Sequence, residues 1–96
     1  MELIINDNTE RKRFETEYER KIAFINYIRA KNAVYLTHTE VPKSLEGKGI
    51  GSNLVKQVLQ KISQEGDKVA PLCPFVASYI REHQEWKSLV ADGYNV

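Results

Sequence analysis

Two different periods divide the chain near its middle. Up to Val41 the apolar residues alternate with polar ones or gather in short runs. From Leu54 onward they recur at helical spacing. Leu3-Ile4-Ile5 is a short apolar run that stops at the turn-prone Asn6-Asp7-Asn8, and it predicts a first strand. Phe14, Thr16 and Tyr18 alternate with Glu15, Glu17 and Glu19, the pattern of a half-buried strand. Ile22 to Ile28 is denser, as expected of a central strand covered on both faces. Lys31-Asn32 reads as a tight turn, and Ala33 to Val41 as a further strand that Pro42 ends. Connections this short favour an antiparallel meander.

After the glycines, Leu54, Val55, Val58, Leu59 and Ile62 share one helical face, with Lys56, Gln57, Gln60 and Lys61 opposite. That helix is expected to close near Gly66. Lys68 to Leu72 predicts a short strand, and Pro71 puts its end at an edge or a splay point. Pro74 suits the first turn of a second helix, whose stripe is Phe75, Val76, Tyr79, Ile80 and His83. The tail from Trp86 is too short to assign. The predicted fold is α+β: a mostly antiparallel sheet of about five strands, followed by helix–strand–helix. The first helix makes a right-handed crossover between two strands of α/β type.

Composition changes this picture little. The 96 residues suffice for one domain, residues 1–96, and a single modest core. The net charge of +1 gives no long-range field for nucleic acid or an anionic membrane, and neither is expected as a partner. The lone Cys73 excludes an internal disulfide. No window is apolar enough to span a bilayer, and the amino terminus lacks the layout of a signal peptide, so a cytoplasmic location is the expectation. Two histidines and one cysteine at distant positions offer no metal-ligand spacing, and no metal is expected.

The chemistry concentrates in Glu46-Gly47-Lys48-Gly49-Ile50-Gly51-Ser52. Three glycines within five residues are costly in backbone entropy. They stand between a strand and a strong helix, where a tight turn brings N–H groups close to a ligand and the helix start favours an anion. Lys48 adds a charge. The plain alternative is a flexible turn. Two other phosphate motifs fail: Gly47-Lys48-Gly49 is no Walker pattern, and Gly47, Gly49 and Ser52 give G-x-G-x-x-S without the βαβ frame.

The same turn resembles the Gln/Arg-x-x-Gly-x-Gly/Ala turn of the GCN5-related N-acetyltransferase superfamily. His38-Thr39-Glu40-Val41-Pro42, Cys73-Pro74-Phe75-Val76 and Tyr79-Ile80-Arg81 extend the likeness to the short, single-domain members of that superfamily. The resemblance implies acetyl-coenzyme A as cosubstrate. Main-chain groups at Val41 and along Gly47, Lys48, Gly49, Ile50, Gly51 and Ser52 would hold it, and an acetyl group would pass to an amine-bearing acceptor. The family's Gln/Arg is Glu46 here, so this acid is expected to point away from the pyrophosphate and leave binding to the main chain. The chain is also short for the superfamily. Elements that shape the acceptor pocket are missing, which implies an open acceptor site or one completed by a second copy in a homodimer.

Three side chains are candidates for the chemistry, which needs a base for the incoming ammonium and an acid for the leaving thiolate. The resemblance places Tyr79 as the acid; otherwise it is a core aromatic. His38 alternates with Val34 and Leu36 on a face that also carries Glu40, as a general base or as a satisfied core histidine. Cys73 precedes a helix whose dipole favours a thiolate; paired with His38 it is a covalent acetyl carrier, and otherwise it is a buried apolar residue. Three functions follow: an N-acetyltransferase, a coenzyme A-binding or sensor module without turnover, and a structural interaction domain.

Overall fold

The computed structural model describes residues 2–96. Five strands form one sheet in sequential order: β1 (Asn6–Asn8), β2 (Arg13–Tyr18), β3 (Lys21–Ala30), β4 (Ala33–Glu40) and β5 (Lys68–Pro71). Neighbours from β1 to β4 are antiparallel and β4–β5 is parallel. Helix α1 (Ile50–Gln64) makes the crossover between β4 and β5, and α2 (Pro74–Glu82) follows β5. The α+β architecture and the helix–strand–helix order are those expected. The tail forms a 3-10 turn at Gln84–Leu89, and Val90 bridges to Val69 beside β5.

The local chemistry explains the boundaries. Asn32 takes φ +67° at the second position of the Lys31-Asn32 turn, a left-handed conformation that asparagine tolerates. Gly66, at φ +81°, closes α1, and its N–H donates to Ser63 O. Pro74 occupies the first turn of α2, where its missing N–H costs nothing. Helix α1 buries Ile50, Leu54, Val55, Val58, Leu59 and Ile62. They meet Phe14, Ala23, Ile25, Tyr27, Val34 and Leu36 from the sheet in a single core. Each large apolar side chain so buried contributes roughly 1.5–3 kcal/mol.

Three expectations need correction. The first strand is Asn6–Asn8, not Leu3–Ile5. Both asparagine side chains of this short edge strand donate to Glu15 Oε1. Leu3 is drawn instead onto α1, where its N–H donates to Gln57 Oε1 at 3.3 Å and its side chain is buried, while Ile4 stands 87% exposed. Secondly, β3 is covered on one face only. Ala23, Ile25 and Tyr27 are buried, but Ile22 and Ile28 are 42% and 57% exposed. Both helices share one core, so the apolar outer residues of β3 lack the cover that their density suggested. Thirdly, Phe75 in the second helical stripe is 44% exposed, because it projects from the first turn of α2 towards α1 rather than into the core.

Candidate active site

The site grows out of an irregularity in β4. Its pairing with β3 runs regularly from Ala30↔Ala33 to Tyr27↔Leu36, then resumes at Asn26↔His38. Thr37 is the extra residue of a β-bulge, and its hydroxyl donates to the carbonyl of Asn26 at 3.3 Å. A bulge reverses the side-chain alternation. Val34 and Leu36 face the core before it; Thr39, opposite buried Ile25, faces the core side after it. His38 and Glu40 therefore turn to the outer face, contrary to the expectation that His38 shares a face with Val34 and Leu36. The two outer residues are exposed and touch, Nε2 to Oε1 at 3.3 Å.

The bulge coincides with a parting of strands. The β4–β5 ladder ends at Leu36↔Pro71, and Cys73 N–H closes it on Leu36 O at 2.8 Å. Beyond that point β4 continues to Glu40 paired with β3 only. Pro71 thus marks a splay point, one of the two roles expected of it. Cys73 sits at the fork, buried, its Sγ 3.3 Å from Thr39 Oγ1. Thr39, not His38, is the β4 side chain that meets the thiol, because the bulge sends His38 to the other face.

Past the fork lies a cleft of about 630 Å³, lined by the end of β4 (Thr39, Glu40), Val41 just after it, the glycine turn and Phe75. Its size falls within the ordinary range of small-molecule sites. The turn is built for close approach. Gly47 and Gly49 adopt φ +81° and +78°, a region that costs other residues strain. Gly49 is also the N-cap of α1 and offers no side chain to its free N–H groups. The first helical bond is Asn53 N–H to Gly49 O at 3.1 Å, and Asn53 Nδ2 donates to the same carbonyl at 2.9 Å. The N–H groups of Ile50, Gly51 and Ser52 precede that bond and have no helical acceptor. Gly51 serves another purpose: a Cβ there would lie 3.0 Å from the Phe75 ring and 3.4 Å from Val41.

Two charged residues flank the turn. Lys48 Nζ is 2.7 Å from Glu19 Oε1, outside the cleft lining; that bond raises its pKa. The ammonium is committed to the β2–β3 turn, because the left-handed Glu19-Arg20 turn brings that carboxylate alongside. Glu46, expected to point away, is among the lining residues.

Tyr79 is buried on α2, its ring stacked on His83 at 4.0 Å. His83 is fixed in turn by Nδ1 against Tyr79 O at 2.8 Å. Burial, with a smaller push from Glu85, raises the Tyr79 pKa; the Trp86 indole acts the other way. Tyr79 borders a smaller hollow that shares Ser52 and Phe75 with the main cleft. The fold therefore gathers Val41, Gly47, Gly49, Ile50, Gly51 and Ser52 in one cleft. Tyr79 is adjacent, Cys73 lies behind Thr39, and His38 is on the far face beside Glu40. Sequence reasoning missed Thr39 and Phe75 as lining residues; only the bulge and the α1–α2 contact place them there. Among the described residues no group of His, Cys, Asp or Glu is placed to hold a metal ion. No helix among them is long and apolar enough to cross a membrane.

Residues 13–89 match the family model of GCN5-related N-acetyl-transferase, and the chain belongs to this family. Among curated proteins it is similar to Protein NATD1 of Homo sapiens, at 32% identity over 66 residues covering 69% of this chain and 58% of that protein. Protein NATD1 of Mus musculus is 32% identical, with 69% and 59% covered. Protein NATD1 of Xenopus tropicalis is 30% identical, with 69% and 60% covered. The chain thus spans about 60% of the length of the relatives it matches.

Proposed function

We propose that the chain is an acetyl-coenzyme A-dependent N-acetyltransferase acting on an amine acceptor. The observation that carries this is the set of N–H groups at Ile50, Gly51 and Ser52, which open onto a cleft with no side-chain cap. The residues fit the pyrophosphate of the coenzyme: a cradle that a Cβ at Gly51 would fill, and a helix start with no acid in its first turn. With Lys48 held by Glu19, the main chain from Gly47 to Ser52 supplies the contacts, and Val41 at the strand end completes the cradle. When bound, acetyl-coenzyme A supplies an activated thioester.

Tyr79 is the proton donor for the leaving thiolate. Its raised pKa keeps the hydroxyl protonated at neutral pH, as an acid requires. The His38–Glu40 pair receives the proton of the incoming ammonium, and Glu40 belongs to both the pair and the cleft wall. Direct attack by the amine is favoured over a Cys73 carrier, because the thiol's neighbour is a threonine hydroxyl, which is no base.

Calorimetry with coenzyme A and thiol release with a panel of amines test this. Micromolar binding is expected, lost in Gly49→Val with the circular dichroism spectrum retained. Binding without thiol release for every amine would instead favour a coenzyme A-binding or sensor module, the reading that the burial of Tyr79 supports. No binding at all would leave a structural interaction domain.

A further inference from the structure

The outer face of the sheet has a pattern that the coenzyme cleft does not use. Across the strands, Glu15, Phe24 and Glu40 form one row, and Glu17 and Ile22 form the next. Between the two exposed side chains Ile4 and Ile22 lies a hollow of about 310 Å³, lined also by Glu15, Glu17 and Thr16. Glu15 is bound at 2.6 Å to Arg13, whose guanidinium lies over the Phe24 ring, whereas among the described residues no ion pair engages Glu17. Apolar walls with a carboxylate at the rim suit the aliphatic stem and ammonium of a lysine. At neutral pH Arg13, Glu15, Glu17 and Glu40 give this face more negative than positive charge, in a chain whose net charge is +1.

From Glu17 to Glu40 the distance is two strand spacings across and one row along, roughly 12 Å. That equals three to four residues of extended chain. We infer that the acceptor is a basic polypeptide segment lying across this face, with one lysine at Glu40 on the rim of the cleft and a second basic residue three or four positions away in the Ile4–Ile22 hollow. The inference rests on the acetyl-transfer reading for the role of the first lysine. Its support is the charge complementarity of the face, together with the exposed Ile4 and Ile22 side chains at the second site, which a small amine held at Glu40 would leave bare.

The test is an amide NMR titration of the whole chain, without coenzyme, using a ten-residue peptide carrying lysines four positions apart. A control peptide has the second lysine replaced by serine, and spermidine is a third probe. Shifts at Glu17, Ile22, Phe24 and Glu40 are expected. The control, which removes one charge contact, and the Glu17→Lys variant, which reverses it, should each weaken binding at least about tenfold. Glu17 lies outside the cleft, so coenzyme A affinity of that variant should be unchanged by calorimetry. Equal affinity for both peptides, shifts elsewhere, or tighter binding of spermidine at the same residues would overturn the inference. So would self-association through this face in sedimentation. If coenzyme A fails to bind while the peptide maps to this face, the proposed function falls and the docking surface stands; the reverse result sinks only the docking surface.

Discussion

The two halves of β4 are paired and buried differently. From Ala33 to Leu36 it is paired on both sides, and Val34 and Leu36 are sealed in the core. From Thr37 to Glu40 it is paired on one side only, is bulged, and carries exposed polar residues. The first half holds the fold together. The second half, freed from β5, opens the cleft and sorts Thr39 to one face and His38 with Glu40 to the other. One strand thus serves as scaffold and site because a single extra residue interrupts its ladder.

Substitutions on either side of the bulge test that division. Leu36→Ala removes a fully buried side chain and should cost about 3 kcal/mol in urea unfolding. His38→Ala, beyond the bulge and exposed, should stay within about 0.5 kcal/mol. Similar costs at the two positions would sink the comparison.

Loss of the proposed proton donor is the next largest effect. Tyr79→Phe should lower thiol release about a hundredfold with coenzyme A affinity retained. The pKa of Tyr79 is raised in the folded chain, as is that of Tyr27, where burial comes first and the Asp7 carboxylate at 2.5 Å adds to it. Such groups stabilise the fold fully below the unfolded tyrosine pKa of about 10 and lose that contribution as pH rises through the folded value. Stability should therefore fall above that pH, and denaturant titrations of Tyr79→Phe and Tyr27→Phe should each show a shallower fall. An unchanged alkaline slope in both variants would refute the assignment.

The turn gives smaller effects of two kinds. Gly49→Val forces a branched residue into φ +78° and should cost about 1–3 kcal/mol in addition to its effect on coenzyme binding. Gly51→Ala has an ordinary φ; its methyl meets the outer end of the half-exposed Phe75 ring. A stability loss under about 1 kcal/mol is expected, with clearly weaker coenzyme binding, because Phe75 must move into the cleft it lines. Smallest of all is Lys48→Ala. With its ammonium held by Glu19, coenzyme A affinity measured by calorimetry should change by less than about twofold.

Much of this molecule was legible in the order of its residues. Helix α1, the Lys31-Asn32 hairpin and the closing Gly66 follow from periodicity and turn chemistry, which act within a few residues. The anion-ready turn was legible for the same reason: glycines before an apolar stripe dictate both the bend and the uncapped N–H groups. The exposed face of β3 was not legible, since Ile22, Phe24 and Ile28 read as buried until the positions of both helices are known. Leu3-Ile4-Ile5 misled in the same way, because an apolar run does not say whether it pairs in a sheet or packs on a helix.

The sequence by itself determined the helices, the glycine turn and the likeness to acetyltransferases, since these depend on contacts between near neighbours in the chain. Only the tertiary structure decided how His38, Thr39 and Cys73 would lie relative to one another. A bulge is a mismatch between two strands, so neither strand alone encodes it. That mismatch separates His38 from Cys73, gives the thiol a threonine as neighbour, and leaves Glu40 on the rim where cleft and outer face join.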